Sequence, residues 1–477
     1  MSVIGTFNGK GAWALRALCV CFVSLLILDV YFALNTEGTF RLSEGRPALN
    51  YNLLARSLLA GQLHLQRDVH PGRLKEADPA SPTLPYPYLF DAIIFNGKYY
   101  LQHLPFPALI HALCIALTGD NLPTGLVVVL ASFGCVLWLS LILSRIRQAF
   151  FPDSPAWILW FVVLSFAFSS AQLYMVSRPV IYHEAVATGV FFALGGAAFC
   201  IWSLTDDNAK SGTLIVSGLL FGAAIASRAP TVFYPLCFML CLAWHWLLQK
   251  RTAAEIVRQG LSFAAPVALF AGLLLFYNYG RFGDFFYAGL RHVSLPFPQV
   301  YEYCCVHGNY FRLAHVPQNL YHWLLALPEF EFWGWFLTVP KDSLMDGIIV
   351  NNVLVLREKV SSIFVMMPVI MLILPVPVLY MYAPRQVNLT PVLFGCAGCS
   401  LIVFGFFTTY YFACARFLYE FTPLLFVLVF YALVVLWEKA RMSPWLRRGM
   451  LVMLSALMIA NCIIGAAWGI TGMLQIL

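Results

Sequence analysis

Three arginines interrupt long apolar runs of this 477-residue chain. Arg228 lies in FGAAIASRAPTVFYPL, Arg281 in YNYGRFGDFFYAG and Arg416 in FACARFLYEFTPLL. An ionisable group inside a membrane span costs roughly 2.5–3.5 kcal/mol on insertion scales, so such a residue usually faces a cavity and has a function. Guanidinium groups form paired hydrogen bonds with phosphate oxygens. The three arginines are therefore candidate phosphate ligands, although Arg281 could instead be an interfacial anchor that reaches the lipid head groups.

Acidic and imidazole side chains accompany these arginines. Glu420 follows Arg416 by four residues, and two helical residues at this spacing can simply neutralise each other. His183 and Glu184 occur together in SRPVIYHEAVATG. The carboxylate of Glu184 could stabilise a helix N-terminus, which is the structural alternative to a role in a site.

A single acid, Asp91, stands among aromatic, proline and aliphatic residues in YLFDAIIFNGKYYLQHLPFPALIHAL. A carboxylate at a membrane surface can accept a proton as a general base, and local burial raises its pKa toward neutrality. The alternative is that Asp91 only caps a turn at Asn96-Gly97. Glu44 and Asp68 are the substitute bases in the same segment, and Asp29 is a weaker candidate near the end of the first apolar run.

The composition places all these residues in a membrane protein. The chain is 61% hydrophobic and 11% charged, with a mean hydropathy of +0.79, which a soluble domain could not cover. The net charge of +7 comes from Lys and Arg clustered in short loops, as membrane orientation requires, so it does not indicate nucleic acid. No nucleotide-binding loop or hydrolase motif is present, and the thirteen cysteines lack metal-ligand spacing.

The apolar runs predict an all-α polytopic fold in one integral membrane domain, 1–477. Ten runs are long enough to cross a bilayer, namely 12–34, 124–144, 156–176, 183–204, 229–248, 260–278, 361–382, 391–412, 415–437 and 450–473. A weaker run at 212–227 brings the prediction to about eleven full spans. The run 105–118 is too short to cross and predicts a half-membrane helix.

The distribution of Lys and Arg then orients the chain. Arg145, Lys250 and Arg447 lie in loops that are predicted to be cytoplasmic. Two long loops, at about 35–104 and about 279–360, are therefore predicted on the outer side. Each contains an amphipathic stretch, at 50–63 and 316–330, that is expected to lie along the membrane interface.

Several segments, in this order, resemble bacterial GT-C glycosyltransferases. FDAIIFNGKYYLQHLPFPALIHALCIALTG is similar to their D-x-x-x-x-x-G-[KR]-Y-Y…P-x-P-A-L…G stretch, and GLLFGAAIASRAP to their G-x-x-x-G-x-A-x-x-x-R-P span, with Ala229 inserted before the proline. YNYGRFGDFFYAG, HGNYFRLAHVPQNLYHWLLALP and ARFLYEFTPLL resemble later segments of the same family. One place departs from the pattern. The aminoarabinose and protein O-mannosyl transferases carry an acidic pair before the first-loop helix, where this chain reads EGRPALNY, with Glu44 displaced.

The resemblance implies a transferase in the cytoplasmic (inner) membrane of a bacterium, with its active site on the outer face. Its donor would be a hexose or pentose on a polyprenyl phosphate, and its acceptor a hydroxyl group of a lipid, glycan or protein. Asp91 is then the expected base, and His183, Glu184, Glu420 and Tyr100 are expected to orient sugar or acceptor. Tyr99 and Trp333 could also stack on sugar faces, although an interfacial belt explains such aromatics as well.

Two points stay open at the level of sequence. A divalent cation is a possible cofactor, but His307, His315 and His322 are spaced too widely for a local metal signature. A lipid-linked sugar flippase or transporter would gather similar arginines, but it should show discontinuous helices in both halves, whereas the sequence predicts one half-helix. An O-antigen ligase or polymerase should carry its large loop late in the chain.

Overall fold

The computed structural model describes residues 9–42, 50–206, 211–328, 330–333, 336–338, 348–350, 353–355, 360–382 and 388–474. The α-helices of these residues are α1 (Gly9–Asn35), α2 (Asn50–Leu59), α3 (Phe106–Thr118), α4 (Thr124–Phe150), α5 (Ala156–Ala167), α6 (Ser170–Ser177), α7 (Ile181–Thr205), α8 (Ser211–Ser227), α9 (Phe233–Leu248), α10 (Ala253–Phe282), α11 (Pro298–Tyr301), α12 (Val316–Leu320), α13 (Ile363–Met366), α14 (Val376–Tyr382), α15 (Leu389–Thr408), α16 (Ala415–Phe421), α17 (Leu425–Lys439) and α18 (Pro444–Leu474). The strands are β1 (Ala92–Phe95), β2 (Lys98–Leu101), β3 (Glu331–Trp333), β4 (Phe336–Thr338), β5 (Ile348–Val350) and β6 (Val353–Val355).

The helical membrane fold is confirmed, but several predicted spans are not continuous helices. Among the described residues, 7 helices are long and apolar enough to cross a bilayer, and the number rises to 9 if two bent pairs each count as one span. The pair α5 and α6 bends by 42°, where Ser169 caps the second helix, and the pair α16 and α17 bends by 62° near Pro423. The run 361–382 is divided into short pieces at Pro368 and Pro375, because proline cannot continue the helical hydrogen bonds.

Helix α7 lies at the centre of the bundle and is buried along most of its length, whereas α10 exposes most of its surface. Small residues let the neighbouring helices approach α7 closely. A Cβ added to Gly196 would lie 2.7 Å from the Phe221 ring of α8, and one added to Gly189 would lie 2.6 Å from the Cβ of Arg228. Gly189 thus allows Arg228 to lie directly against α7.

A β-hairpin, β1–β2, fills the middle of the segment that joins α2 to α3. Asn96 and Gly97, at its tip, have φ angles of 48° and 74°, as a two-residue hairpin turn of the I′ type requires. Its side chains alternate between two apolar clusters, with Tyr99 packed beside α2 and Tyr100 in the main core. This hairpin, together with β3–β4 and β5–β6, adds a small β component that the apolar pattern does not predict.

The two long loops are joined through β1. Ser294 donates its backbone N–H to the carbonyl of Ala92, and its own carbonyl accepts from the N–H of Asp91. The predicted amphipathic stretches are shorter than expected. The first is α2, which is largely buried against α3, and the second is α12 followed by a π-helical turn at Tyr321–Leu325.

A fully buried arginine, Arg73, organises the loop that precedes the hairpin. Its guanidinium donates hydrogen bonds of 2.6–3.2 Å to the carbonyls of Pro79, Ser81, Tyr86 and Pro87. It also lies 4.5 Å from the centroid of the Tyr88 ring. These contacts fix residues 79–88, which lead directly to Asp91.

Candidate active site

Asp91 lies at the open end of the β1–β2 hairpin. Ala92 pairs with Leu101, so Asp91 and Gln102 leave the sheet next to each other. Asp91 is only 8% exposed and has a φ angle of 54°, a left-handed conformation that Asp and Asn tolerate better than most residues. The proposed capping of the Asn96-Gly97 turn is wrong, because that turn closes the opposite end of the hairpin.

Burial raises the pKa of Asp91 to about 7, and the positive charge of Arg416 partly opposes this rise. In the described part of the chain, no side chain donates a hydrogen bond to this carboxylate. Asp91 is thus a desolvated acid that titrates near neutrality beside a guanidinium. A base of this kind can both accept a proton and release it at physiological pH.

Arg416 lies in the first turn of α16, among aromatic rings. Its guanidinium carbon is 4.5 Å from the ring centroid of Tyr182, 5.1 Å from that of Phe417 and 5.5 Å from that of Phe412. The Tyr182 ring also lies 5.9 Å from the guanidinium of Arg178. Aromatic faces attract a guanidinium through cation–π interactions, which help to hold Arg416 in place.

Arg228 and Glu420 form an ion pair that joins α8 to α16. Both Nε and Nη2 of Arg228 donate to Oε1 of Glu420, at 3.1 Å and 2.8 Å. Glu420 is buried, and its backbone carbonyl accepts a hydrogen bond from the hydroxyl of Tyr234. Glu420 thus pairs with Arg228 across the bundle, whereas the spacing of four residues suggested a pair with Arg416.

Arg281 is hydrogen-bonded to strand β2 of the hairpin, in which Tyr100 lies. The guanidinium of Arg281 is buried, donates to the carbonyl of Leu101 at 2.8 Å and to Oδ1 of Asn278 at 2.6 Å, and lies 4.2 Å from the Tyr277 ring centroid. Tyr100 is buried in the core. These contacts give Arg281 a positioning role, and its predicted contact with phosphate stays a prediction.

Glu184 takes part in a buried polar chain that links α7, α3 and α2. Its Oε1 lies 2.5 Å from Nε2 of His111, whose Nδ1 lies 2.8 Å from Oδ1 of Asn52. The amide of Asn52 is oriented by Leu122, because Nδ2 donates to the Leu122 carbonyl and Oδ1 accepts from its N–H. Nδ1 of His111 therefore carries a proton, and Glu184 is held in place rather than presented to solvent.

His183 is also buried. Its Nδ1 lies 3.1 Å from the carbonyl oxygen of Met175, and Nε2 has no partner among the described residues. Both neighbouring aromatic rings, Tyr174 and Tyr182, meet the imidazole edge to face. Tyr182 therefore contacts both His183 and the guanidinium of Arg416.

The other candidate bases lie elsewhere. Glu44 falls outside the described residues. Asp68 is exposed and pairs through its backbone with Lys98, at the turn end of the hairpin, which is roughly 13 Å from the open end at the rise of an antiparallel strand. Asp29 is exposed on α1. Of the candidate bases within the described residues, Asp91 is therefore the one whose pKa the charge of Arg416 lowers.

The structure gives less support to a role in the site for the predicted sugar-stacking aromatic residues and metal ligands. Tyr99 is buried, and its hydroxyl accepts from the N–H of Leu89. Trp333 lies in β3, and its side chain is outside the described atoms. His307 is exposed, whereas His315 is buried between the hydroxyl of Tyr303 and the carbonyl of Thr409. Within the described residues, no group of three or more His, Cys, Asp or Glu side chains is arranged to hold a metal ion.

Gln102 and His103 lie next to the candidate base, and the sequence pattern did not single them out. Both follow β2 at the open end of the hairpin, and His103 is close enough to Arg228 and Arg416 for their charges to lower its pKa. A signal was present. Asn96-Gly97 between two apolar runs is a strong hairpin pattern, and its register would have brought Gln102 to Asp91.

Comparisons with known proteins place this arrangement in a known fold. No family profile matches the sequence, and no curated protein does. The alignment with the apo oligosaccharyltransferase of Archaeoglobus fulgidus covers 94% of this chain and 56% of that protein, at a TM-score of 0.53 and 11% sequence identity. The alignment with AglB from the same organism, in complex with an inhibitory peptide and a dolichol-phosphate, covers 96% of this chain and 56% of that protein, at a TM-score of 0.52 and 11% sequence identity. The alignment with ArnT from Cupriavidus metallidurans bound to undecaprenyl phosphate covers 98% of this chain and 77% of that protein, at a TM-score of 0.46 and 13% sequence identity.

This chain has the GT-C fold. The two oligosaccharyltransferase structures decide this, because they superpose on almost the whole chain at a TM-score above 0.5. The chain spans about half the length of those proteins. An identity of 11% establishes the fold alone, so the activity has to be argued from the residues of the site.

Proposed function

We propose that this protein is a membrane glycosyltransferase that moves a sugar from a polyprenyl-phosphate donor to an acceptor hydroxyl group. The observation that carries the proposal is a buried carboxylate with a pKa of about 7 beside the guanidinium of Arg416, at one end of a GT-C fold. A base near neutrality and a cation for the phosphate are the two groups that this transfer needs.

The reaction follows from the placement of these groups. The acceptor oxygen forms a bond to the anomeric carbon, and Asp91 accepts the proton that this oxygen loses. The bond from the anomeric carbon to the phosphate oxygen breaks, and the polyprenyl phosphate leaves with the electron pair. Arg416 stabilises the negative charge that develops on the phosphate. Arg228 is a second candidate phosphate ligand, whose direction is fixed by Glu420.

The surroundings of the reaction are part of the proposal. The site is expected to open on the outer face of a bacterial cytoplasmic membrane, where the donor lipid chain can lie between lipid-facing helices. The acceptor is a lipid, glycan or protein.

A transporter of lipid-linked sugars is the second candidate. The bent pairs α5–α6 and α16–α17 are discontinuous helices in both halves of the chain, so the expectation of a single discontinuous segment is wrong. A transporter must move the intact lipid-linked sugar, and proton-coupled transporters also use carboxylates that titrate near neutral pH. The fold favours the transferase, because the two structures that superpose on nearly the whole chain at a TM-score above 0.5 are oligosaccharyltransferases.

Purified protein in lipid nanodiscs tests the proposal directly. Undecaprenyl-phosphate-linked glucose, mannose and arabinose are supplied separately, each with a bacterial envelope extract as the source of acceptor hydroxyl groups, and release of undecaprenyl phosphate is measured. Arg416→Gln should reduce release at least about tenfold, whereas Arg448→Gln should not. Arg448 is a suitable control because it also lies over an aromatic ring, 5.5 Å from that of Trp445, on an exposed surface. Transbilayer movement of the intact lipid in proteoliposomes, without release, would support the transporter.

A further inference from the structure

Two polar atoms at the open end of the hairpin have no partner. Oε1 of Gln102 and Nε2 of His103 are buried, and neither forms a hydrogen bond within the residues that the structure describes. An unpaired buried donor or acceptor costs about 1–3 kcal/mol, and most buried polar atoms in proteins are paired. These two consecutive residues, next to the candidate base, therefore form a polar surface whose hydrogen bonds a ligand can complete.

The chemistry of the two atoms favours an uncharged ligand. Oε1 of Gln102 can only accept a hydrogen bond, and an ionised phosphate has no hydrogen to donate. Burial, together with the charges of Arg228 and Arg416, lowers the pKa of His103 to about 3. His103 is thus a neutral imidazole at physiological pH, with one nitrogen that donates and one that accepts. Hydroxyl groups, which donate and accept, satisfy both residues.

The position of the pair suggests which hydroxyl groups these are. In the proposed reaction, Asp91 acts on the acceptor oxygen and the phosphate ligands act on the leaving group of the same anomeric carbon. The sugar ring that carries this carbon must then lie at the open end of the hairpin. We propose that Gln102 and His103 form the subsite that hydrogen-bonds the hydroxyl groups of the donor sugar. This inference rests on the proposed function and adds how the sugar is recognised.

Binding to bare and sugar-bearing lipids tests the subsite. The probes are undecaprenyl phosphate and its glucose, mannose and arabinose derivatives, titrated into protein in nanodiscs. Gln102→Met and His103→Leu remove the polar atoms and keep the size of the side chain approximately. Each should weaken the preferred sugar-bearing lipid about 3- to 10-fold, the value of one hydrogen bond, and leave undecaprenyl phosphate unchanged. Gln62→Met, at an exposed glutamine of the same loop, is the matched control.

Conservative variants and thermal unfolding separate recognition from a structural role. His103→Gln places an amide near the position of Nε2 and should retain most of the affinity, whereas His103→Asn places it nearer Nδ1 and should not. Because the two atoms have no partner in the free protein, Gln102→Met and His103→Leu should not lower its melting temperature. Residues that merely hold the fold together would lower it.

The outcomes are distinct. Equal weakening of bare and sugar-bearing lipid would overturn the subsite, as would unchanged affinity or a lowered melting temperature. Sugar-bearing lipids that bind the unmodified protein no better than undecaprenyl phosphate would overturn it as well. If the unmodified protein bound none of the four lipids, the proposed function itself would fail, and this is seen before any variant is made.

Discussion

Replacing Asp91 by Asn removes the proposed base and changes little else. Asn has the same size and also tolerates the φ angle of 54°, so the backbone conformation should persist. Loss of a general base typically lowers the rate about 10²- to 10⁴-fold. Transfer from undecaprenyl-phosphate-linked sugars in nanodiscs should fall by this factor, and binding of undecaprenyl phosphate should not.

The pH dependence gives a second test of the same residue. With a pKa of about 7, kcat/KM of the unmodified protein should rise with pH and level off above about pH 8. A bound phosphate offsets the charge of Arg416, which holds the pKa of Asp91 down. The profile of kcat, which reports the donor complex, should therefore lie at higher pH than that of kcat/KM.

As the pH rises, the stability that Asp91 contributes should fall while the activity rises. The pKa of Asp91 is raised from 3.8 to about 7, so the stabilisation contributed by the protonated acid is complete below about pH 3.8 and is lost as the pH rises through 7. At pH 8 the ionised group costs at most about 4 kcal/mol, at about 1.4 kcal/mol per pKa unit. Asp91→Asn, which cannot ionise, should therefore melt at a higher temperature than the unmodified protein at pH 8. An active variant, or one that melts lower at pH 8, would refute the reasoning.

Three further predictions concern the framework of the site. Arg228→Gln should destabilise the protein by about 3–5 kcal/mol because it leaves Glu420 buried and unpaired. The double variant that also carries Glu420→Gln should regain part of this lost stability in thermal unfolding. A double variant that regains none would argue against the ion pair. In the variant Arg73→Lys, the lysine cannot donate to all four carbonyls, so limited proteolysis should cut within residues 79–88 faster than in the unmodified protein. The rate of cutting elsewhere in the chain should stay unchanged. In intact cells, a membrane-impermeant thiol reagent should label a cysteine at exposed Glu76 and not one at Lys250; the reverse pattern would invert the proposed orientation.

The apolar and charge patterns alone determined a large part of this protein. A chain with so few charges can be folded only in a membrane, and arginines are tolerated within its apolar runs only where they have partners or a cavity. Arg228, Arg416 and Asp91 were therefore identifiable as candidates by their unusual setting. The hairpin was also within reach, because Asn-Gly between apolar runs has a specific backbone requirement.

Partnerships across the chain were decided only by the tertiary structure. Glu420 had two possible arginine partners, one four residues away and one 192 residues away, and the close contact of Arg228 with α7 at Gly189 selected the distant one. The prolines predict helix breaks, but the packing of the segments sets the bend angles. Asp91 acquires its raised pKa from burial at the junction of the two long loops, where Ser294 pairs with its backbone. Burial depends on what covers a residue, and the covering segment lies about 200 residues further along the chain, beyond the reach of any local pattern.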